Sequence, residues 1–168
     1  MISDDTLLIA VTHSNRIEGE PTLENDLRVV RACLIAAEEG VLIHPRSIHY
    51  LLFAQGYSHA GSYREVEVYV NNPTGKRMFP PFNAVPQLMK EWWFDWKVTQ
   101  LTQGDIWARH VSFESIHPFQ DGNGRVGRIF MWAQEVMQGQ PITVFRYEDR
   151  FDYYSKMDAA RANTTTIT

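Results

Sequence analysis

A histidine, an aspartate, an asparagine, two loop glycines and two arginines stand within one run, His117-Pro118-Phe119-Gln120-Asp121-Gly122-Asn123-Gly124-Arg125-Val126-Gly127-Arg128. Polyphosphate chemistry needs this set: a titratable base, a hard oxygen ligand, backbone and amide donors, and fixed cations. The apolar residues Ile129, Phe130, Met131 and Trp132 behind the run predict a helix, which puts Gly122 to Gly124 at its N-terminus. N–H groups left free at a helix start converge on an anion, and glycine lets the backbone approach without a Cβ. Arg125 and Arg128 share one helix face and can meet two successive phosphates. An unperturbed imidazole titrates near pH 6.5, so His117, at the mouth of such a site, is largely neutral at pH 7 and can accept a proton.

Three simpler motifs fail on context. Gly122, Gly124 and Gly127 spell GxGxxG, but a helical run ending in His117-Pro118 stands where a dinucleotide fold needs a buried strand. Gly56 and Gly61 have Walker A spacing, yet Ser62-Tyr63 replaces the phosphate-gripping Lys-Ser/Thr. Glu114 and His117 form half of a di-iron carboxylate pattern, and the chain offers no second Glu-x-x-His.

The elements that must position the run are mostly helices. Ser3 or Asp4 caps a first helix carrying Leu7, Leu8, Val11 and Ile17 and stopping at Gly19. A second, capped by Thr22, carries Leu23, Leu27, Val30, Leu34 and Ala37 to Gly40, and a third runs from Pro45 to before Gly56. Strict alternation over Arg64–Val70, turn residues at Asn71 to Gly75 and a return over Lys76–Phe79 predict a hairpin. A fourth helix from about Asn83 carries Val85, Leu88, Met89, Trp92, Trp93, Trp96 and Leu101, an aromatic stripe read as core. A fifth begins after Gly104 and ends at His117, a sixth spans Asn123 to about Gln138, and Pro141 to Phe145 forms an extended connector. A last helix covers Tyr147–Ala162, before a frayed tail.

The whole chain sets the bounds. With 168 residues, 44% of them hydrophobic, it suffices for one well-buried core, so residues 1–168 read as a single, mainly α domain. A net charge of -4 argues against a broad nucleic-acid surface. The lone Cys33 sits in an apolar run and excludes an internal disulfide. No basic leader precedes Ser3 and no apolar run reaches membrane-spanning length, so the expectation is a soluble, cytoplasmic protein with no membrane partner.

The run at 117–128 resembles the Fic family signature, His-x-Phe-x-Asp/Glu-Gly-Asn-Gly-Arg-x-x-Arg, at every specified position. Gly61-Ser62-Tyr63-Arg64 and the alternating strand after it look like the entry to that family's target-positioning flap, here 64–81. The resemblance implies a Fic-type helical domain that transfers AMP from ATP to a Ser, Thr or Tyr hydroxyl of a target protein. It implies that His117 is the base and that Asp121 holds Mg²⁺. Gly122, Asn123 and Gly124 would bind phosphate oxygens, Arg125 would support the leaving pyrophosphate, and Arg128 would reach the γ-phosphate. Val66, Val68 and Tyr69 of the flap would register the target segment. Ser14-Asn15-Arg16-Ile17-Glu18-Gly19 resembles the family's Ser/Thr-x-x-x-Glu-Gly/Asn inhibitory helix, here residues 1–19, in which Glu18 would pair with Arg128 and Ser14 would add a hydrogen bond. A lysine stands at the position of Gly124 in the phosphorylating Doc branch, which makes phosphotransfer the secondary reading. AMP removal, a catalytically silent nucleotide- or partner-binding module, and a homo-oligomer stay open, as does a place for Tyr153 and Tyr154 beside the base.

Overall fold

The computed structural model describes residues 2–72, 75–94 and 100–164. One helix organises them. Asn123–Met137, here α6, presents Val126, Ile129, Phe130, Met131, Trp132 and Ala133 to buried surroundings on nearly every side. A helix apolar all round has to be enclosed. Accordingly α2 (Glu24–Glu38) and α5 (Gln103–Ile116) pack along it, while α1 (Asp4–Ile17) and α3 (Pro45–Phe53) cover its N-terminal part. α4 (Val85–Phe94) lies against α5, and α7 (Arg150–Thr164) also packs on α5.

β1 (Tyr69–Asn72) and β2 (Gly75–Met78) form an antiparallel hairpin in which Tyr69 faces Met78 and Asn72 faces Gly75. The fold is therefore mainly α with a two-stranded flap, in agreement with the sequence pattern. Among the described residues, no helix is long and apolar enough to cross a membrane.

Several local details differ from the pattern reading. Ser3 caps α1, its hydroxyl accepting the Thr6 N–H, and Asp4 opens the helix. Thr22 does not cap α2. The cap position is Leu23, whose N–H bonds Asp26 Oδ2 at 2.9 Å, and Thr22 turns its hydroxyl toward Thr12. The same Asp26 oxygen accepts Asn15 Nδ2 at 2.7 Å, so one carboxylate fastens the end of α1 to the start of α2.

Strand pairing begins at Tyr69, five residues later than alternation predicts, because Arg64 turns inward and anchors the stretch before it. α4 ends at Phe94, Trp96 lies outside the described residues, and Leu101 belongs to the approach to α5. α5 starts at Gln103, before Gly104, because Thr102 and Asp105 form a reciprocal cap. The stripe on α4 packs as core: Val85 and Met89 are fully buried, and Trp92 lies against Phe113 and Phe130. Cys33 is buried too, and burial pushes its thiol up to about 12. Pro141 to Phe145 is a connector outside helix and strand, and Glu135 and Trp132 pin Thr143 in it to α6.

Candidate functional site

The loop between α5 and α6 takes its shape from side chains that spend their polar groups on backbone. His117 ends α5 in the left-handed region, φ 52° and ψ 61°, the one non-glycine residue with positive φ among those described. An L-residue held there costs about 1–2 kcal/mol, so the surroundings must hold it. Arg64, 3% exposed, does so. Its Nε donates to the His117 carbonyl at 2.8 Å, its N–H to Pro118 O at 2.9 Å, and its guanidinium also reaches Val66 O and Pro80 O.

Phe119 is fully buried and stacks on His49 at 4.1 Å between ring centroids. Its backbone is closed by Asn123, whose Oδ1 accepts Phe119 N–H and whose Nδ2 donates to Phe119 O, both at 2.8 Å. With both ends of its amide engaged and 2% exposure, the Asn123 side chain braces the loop. Gly122 has φ 77°, and a Cβ there would strike the Phe53 ring at 2.5 Å, so two constraints require glycine.

The first turn of α6 presents the N–H groups of Asn123, Gly124 and Arg125 without intrahelical acceptors; the ladder begins with Val126 N–H to Gly122 O. A carboxylate already lies against it. A Cβ on Gly124 would collide with Glu18 Oε1, which is 2.7 Å from Arg128 Nη2. Arg128 is 1% exposed, and Ser14 completes its shell by accepting from Nε at 2.8 Å through its hydroxyl and from Nη2 at 3.0 Å through its carbonyl. Ser14 thus bonds Arg128 alongside Glu18, the two sharing Nη2. Burial is the largest single influence on Arg128 and lowers its pKa, but Glu18, Tyr153 and Glu114 together outweigh it and keep the guanidinium charged. Arg125 lies with its guanidinium 4.6 Å over the Phe53 ring, and its buried Nε has no acceptor.

Asp121 is exposed beside this turn, with Oδ1 accepting Gly122 N–H at 2.6 Å. Among the described residues, no three His, Cys, Asp or Glu groups converge as a cation cage. A single hard carboxylate next to an anion cradle suits Mg²⁺, which keeps waters and shares phosphate oxygens rather than occupying an all-protein cage.

His117 closes the site from the flap side. Its ring stacks on Phe79, just past β2, at 4.0 Å and 14°. Burial lowers its pKa to about 4, the Glu114 backbone and Glu18 raise it, and Arg64 and Arg161 lower it further. At neutral pH the ring is an uncharged base. Of the other flap residues, Val66 and Tyr69 are exposed and Val68 is half-buried. Lys76 Nζ lies 4.2 Å over the Tyr69 ring, and Arg77 bonds Asp158, tying β2 to α7. Tyr153 is buried, its hydroxyl 2.7 Å from His110 Nε2, which makes it a core residue beneath Arg128, while Tyr154 stays exposed.

Four residues that matter here escaped the motif. Arg64 and Phe79 shape and stack on His117; His49 bridges Gly61 N–H to its Nδ1 at 2.8 Å and Asp121 O to its Nε2 at 3.2 Å. Since Nδ1 accepts, Nε2 carries the proton and donates to Asp121, so one buried imidazole connects the flap entry to the loop. The fourth, Glu114, appears in the sequence only as half of a rejected metal pattern, yet it is buried one turn before His117.

The family model described as Fic/DOC family matches residues 42–134, more than half of the chain. A protein adenylyltransferase Fic of Nematostella vectensis is 31% identical over 160 residues, covering 90% of this chain and 35% of the relative. One of Culex quinquefasciatus is 29% identical over 161 residues, covering 90% of this chain and 30% of the relative. The chain thus spans about a third of the length of these curated relatives. Among solved structures, a Fic-domain-containing signalling protein of Bacteroides thetaiotaomicron superposes with a TM-score of 0.75 at 20% identity, over 92% of this chain and 72% of that one. A Fic family protein of Desulfovibrio desulfuricans gives 0.72 at 24% identity, over 95% and 58%. With the signature built into a loop and helix start of this form and the family model covering that region, the chain belongs to the Fic/DOC family.

Proposed function

We propose that this chain is a protein adenylyltransferase, moving AMP from ATP to a hydroxyl side chain of a target protein, and that Glu18 restrains it. The observation that carries the reading is the Glu18 carboxylate lying against Gly124 at the start of α6 while paired with Arg128. A helix N-terminus with an adjacent buried arginine selects an anion. The protein fills that place with its own acid, so a phosphate must compete for it. The adenylyltransferase names of the relatives support the choice of reaction.

His117 Nε2 takes the proton of the target hydroxyl as that oxygen attacks the α-phosphorus, and the bond from phosphorus to pyrophosphate oxygen breaks. Arg125 and the first-turn N–H groups of α6 carry the growing charge on the leaving pyrophosphate, and Arg128 fixes its terminal phosphate. Asp121 would hold Mg²⁺, which supplies charge neutralisation to the phosphates when bound. The flap edge at Val66, Val68 and Tyr69 pairs with an extended target segment, bringing its hydroxyl over His117.

ATP labelled at the α-phosphate, with Mg²⁺, tests this on the parent, Glu18→Gly, and Glu18→Gly carrying His117→Ala. Label should accumulate faster with Glu18→Gly and vanish with the double variant. Equal label in the first two removes the restraint, undiminished label in the third removes His117 as base, and no label in any leaves a nucleotide-binding module.

A further inference from the structure

Glu114 is buried at 6% exposure one turn before His117, with Oε2 4.0 Å from His117 Nδ1 and with Oε1 lacking any hydrogen-bond partner. His117 Nδ1 is likewise buried and unbonded. The inward ring nitrogen therefore faces the Glu114 carboxylate, beside the Glu114 backbone that also favours its protonation. A buried acid without a partner is expensive to keep, and α6 is shaped around this one. A Cβ on Gly127 would meet Glu114 Oε1 at 2.5 Å, so the glycine opens the space the carboxylate occupies.

We propose that Glu114 is a positioning residue for His117, whose carboxylate receives the Nδ1–H of the ring and stabilises the imidazolium formed when Nε2 takes the target's proton. This rests on His117 serving as the base. Nε2 is the ring nitrogen left for the target, because Nδ1 is enclosed. Closing 4.0 Å to a charge-assisted hydrogen bond needs only a small ring or carboxylate movement, of the kind that follows once a charge appears on the ring. The logic is that of a base oriented by a third group. No proton need leave Glu114 or reach it: the hydroxyl proton moves to Nε2, the oxygen pair goes to phosphorus, and the Nδ1 proton stays on the ring.

The charges facing Glu114 set its readiness. Arg128 from α6, Arg161 from α7 and Arg77 from β2 favour the carboxylate; burial and Glu18 at the end of α1 oppose it, and the outcome is a pKa raised to about 7. Tyr153 and Tyr154 of α7 face the same site, and His110, on the same helix, stands across Gly127 from it. Support for the base therefore switches on through neutral pH.

The decisive measurement is the ¹⁵N NMR titration of the His117 ring in the full chain, parent against Glu114→Gln. It requires no catalytic activity. Removing the charge should lower the His117 pKa and change its Nδ1 shift; superimposable titrations overturn the proposal. In the Glu18→Gly background, Glu114→Gln should reduce kcat about 10-fold or more with KM for ATP unchanged. It should also abolish the rise of kcat with pH, which this background places lower than in the parent because Glu18 no longer opposes the carboxylate. Glu114→Asp, which keeps charge but loses shape, should restore that rise. If the isosteric glutamine instead outperforms aspartate and keeps the pH limb, Glu114 is only packing. Absence of transfer in every variant refutes the adenylyltransferase reading, while the NMR result still decides the contact.

Discussion

Replacing Glu18 by glycine changes two quantities in opposite directions, which makes it a demanding test. In the parent, Arg128 at 1% exposure has a carboxylate at 2.7 Å and two contacts from Ser14 at 2.8 and 3.0 Å. Charge-assisted hydrogen bonds are worth about 1.5–3 kcal/mol. The Glu18 side chain is 32% exposed, so solvent trims its share toward about 2 kcal/mol. A nucleotide that must displace it should gain about 30-fold in productive occupancy once it is gone, at roughly 1.4 kcal/mol per decade. Without nucleotide, the same change leaves a buried guanidinium short of its acid. That costs about 3 kcal/mol, at the lower end for a broken buried pair because Ser14 remains, and should lower Tm by about 6–12 °C. ATP·Mg²⁺ should then raise Tm more in Glu18→Gly than in the parent. Fluorimetric melting with and without nucleotide, alongside labelling, measures both. Equal Tm without ATP and equal upshift with it would refute the competition for Arg128.

A methyl group on Gly124 collides with the Glu18 carboxylate and narrows the cradle, so Gly124→Ala should break the Glu18–Arg128 contact yet bind ATP more weakly than Glu18→Gly, by calorimetry. His49→Phe keeps the stack on Phe119 but loses the links to Gly61 and Asp121. Unfolding in urea should show a loss of about 1–3 kcal/mol, and transfer should fall with it. The buried His49, His110 and His117, at about 4, 3 and 4, and the lowered His44 bind fewer protons folded than unfolded. Their contribution to stability is therefore lost as pH falls below 6.5. Glu114 and Glu135, raised by burial, act the other way, losing their contribution as pH rises from 4.5 through the folded value, about 7 for Glu114. Four groups against two predict a net rise in stability from pH 4.5 to 6.5. Urea midpoints at pH 5.0 and 6.5 check it, and Glu114→Gln should steepen the rise.

Sequence by itself went far where the information is local. The His117–Arg128 run carries its residue types in order, and the helix behind it follows from an apolar run that no strand periodicity contests. Gly40 and Pro45 mark boundaries because a positive φ and a missing N–H constrain the chain within one or two residues. The pair of Ser14 and Glu18 is also legible, being one turn of one helix. Alternation over Arg64–Val68 misled for the converse reason. Arg64 is charged and reads as solvent-facing, but its partners are carbonyls at Val66, Pro80, Ile116 and His117, and carbonyls leave no trace in a sequence.

Tertiary structure alone decided the rest. That Asn123 spends its amide on Phe119, that Phe79 stacks on His117, and that Gly127 makes room for Glu114 all depend on how α5, α6 and the flap approach one another. The separation between Glu18 and Arg128 along the chain is closed only when α1 packs on α6. Chain order fixed which groups are available for phosphate chemistry. Packing fixed which of them are already engaged, because burial strips away water and makes every donor and acceptor find its partner in the protein.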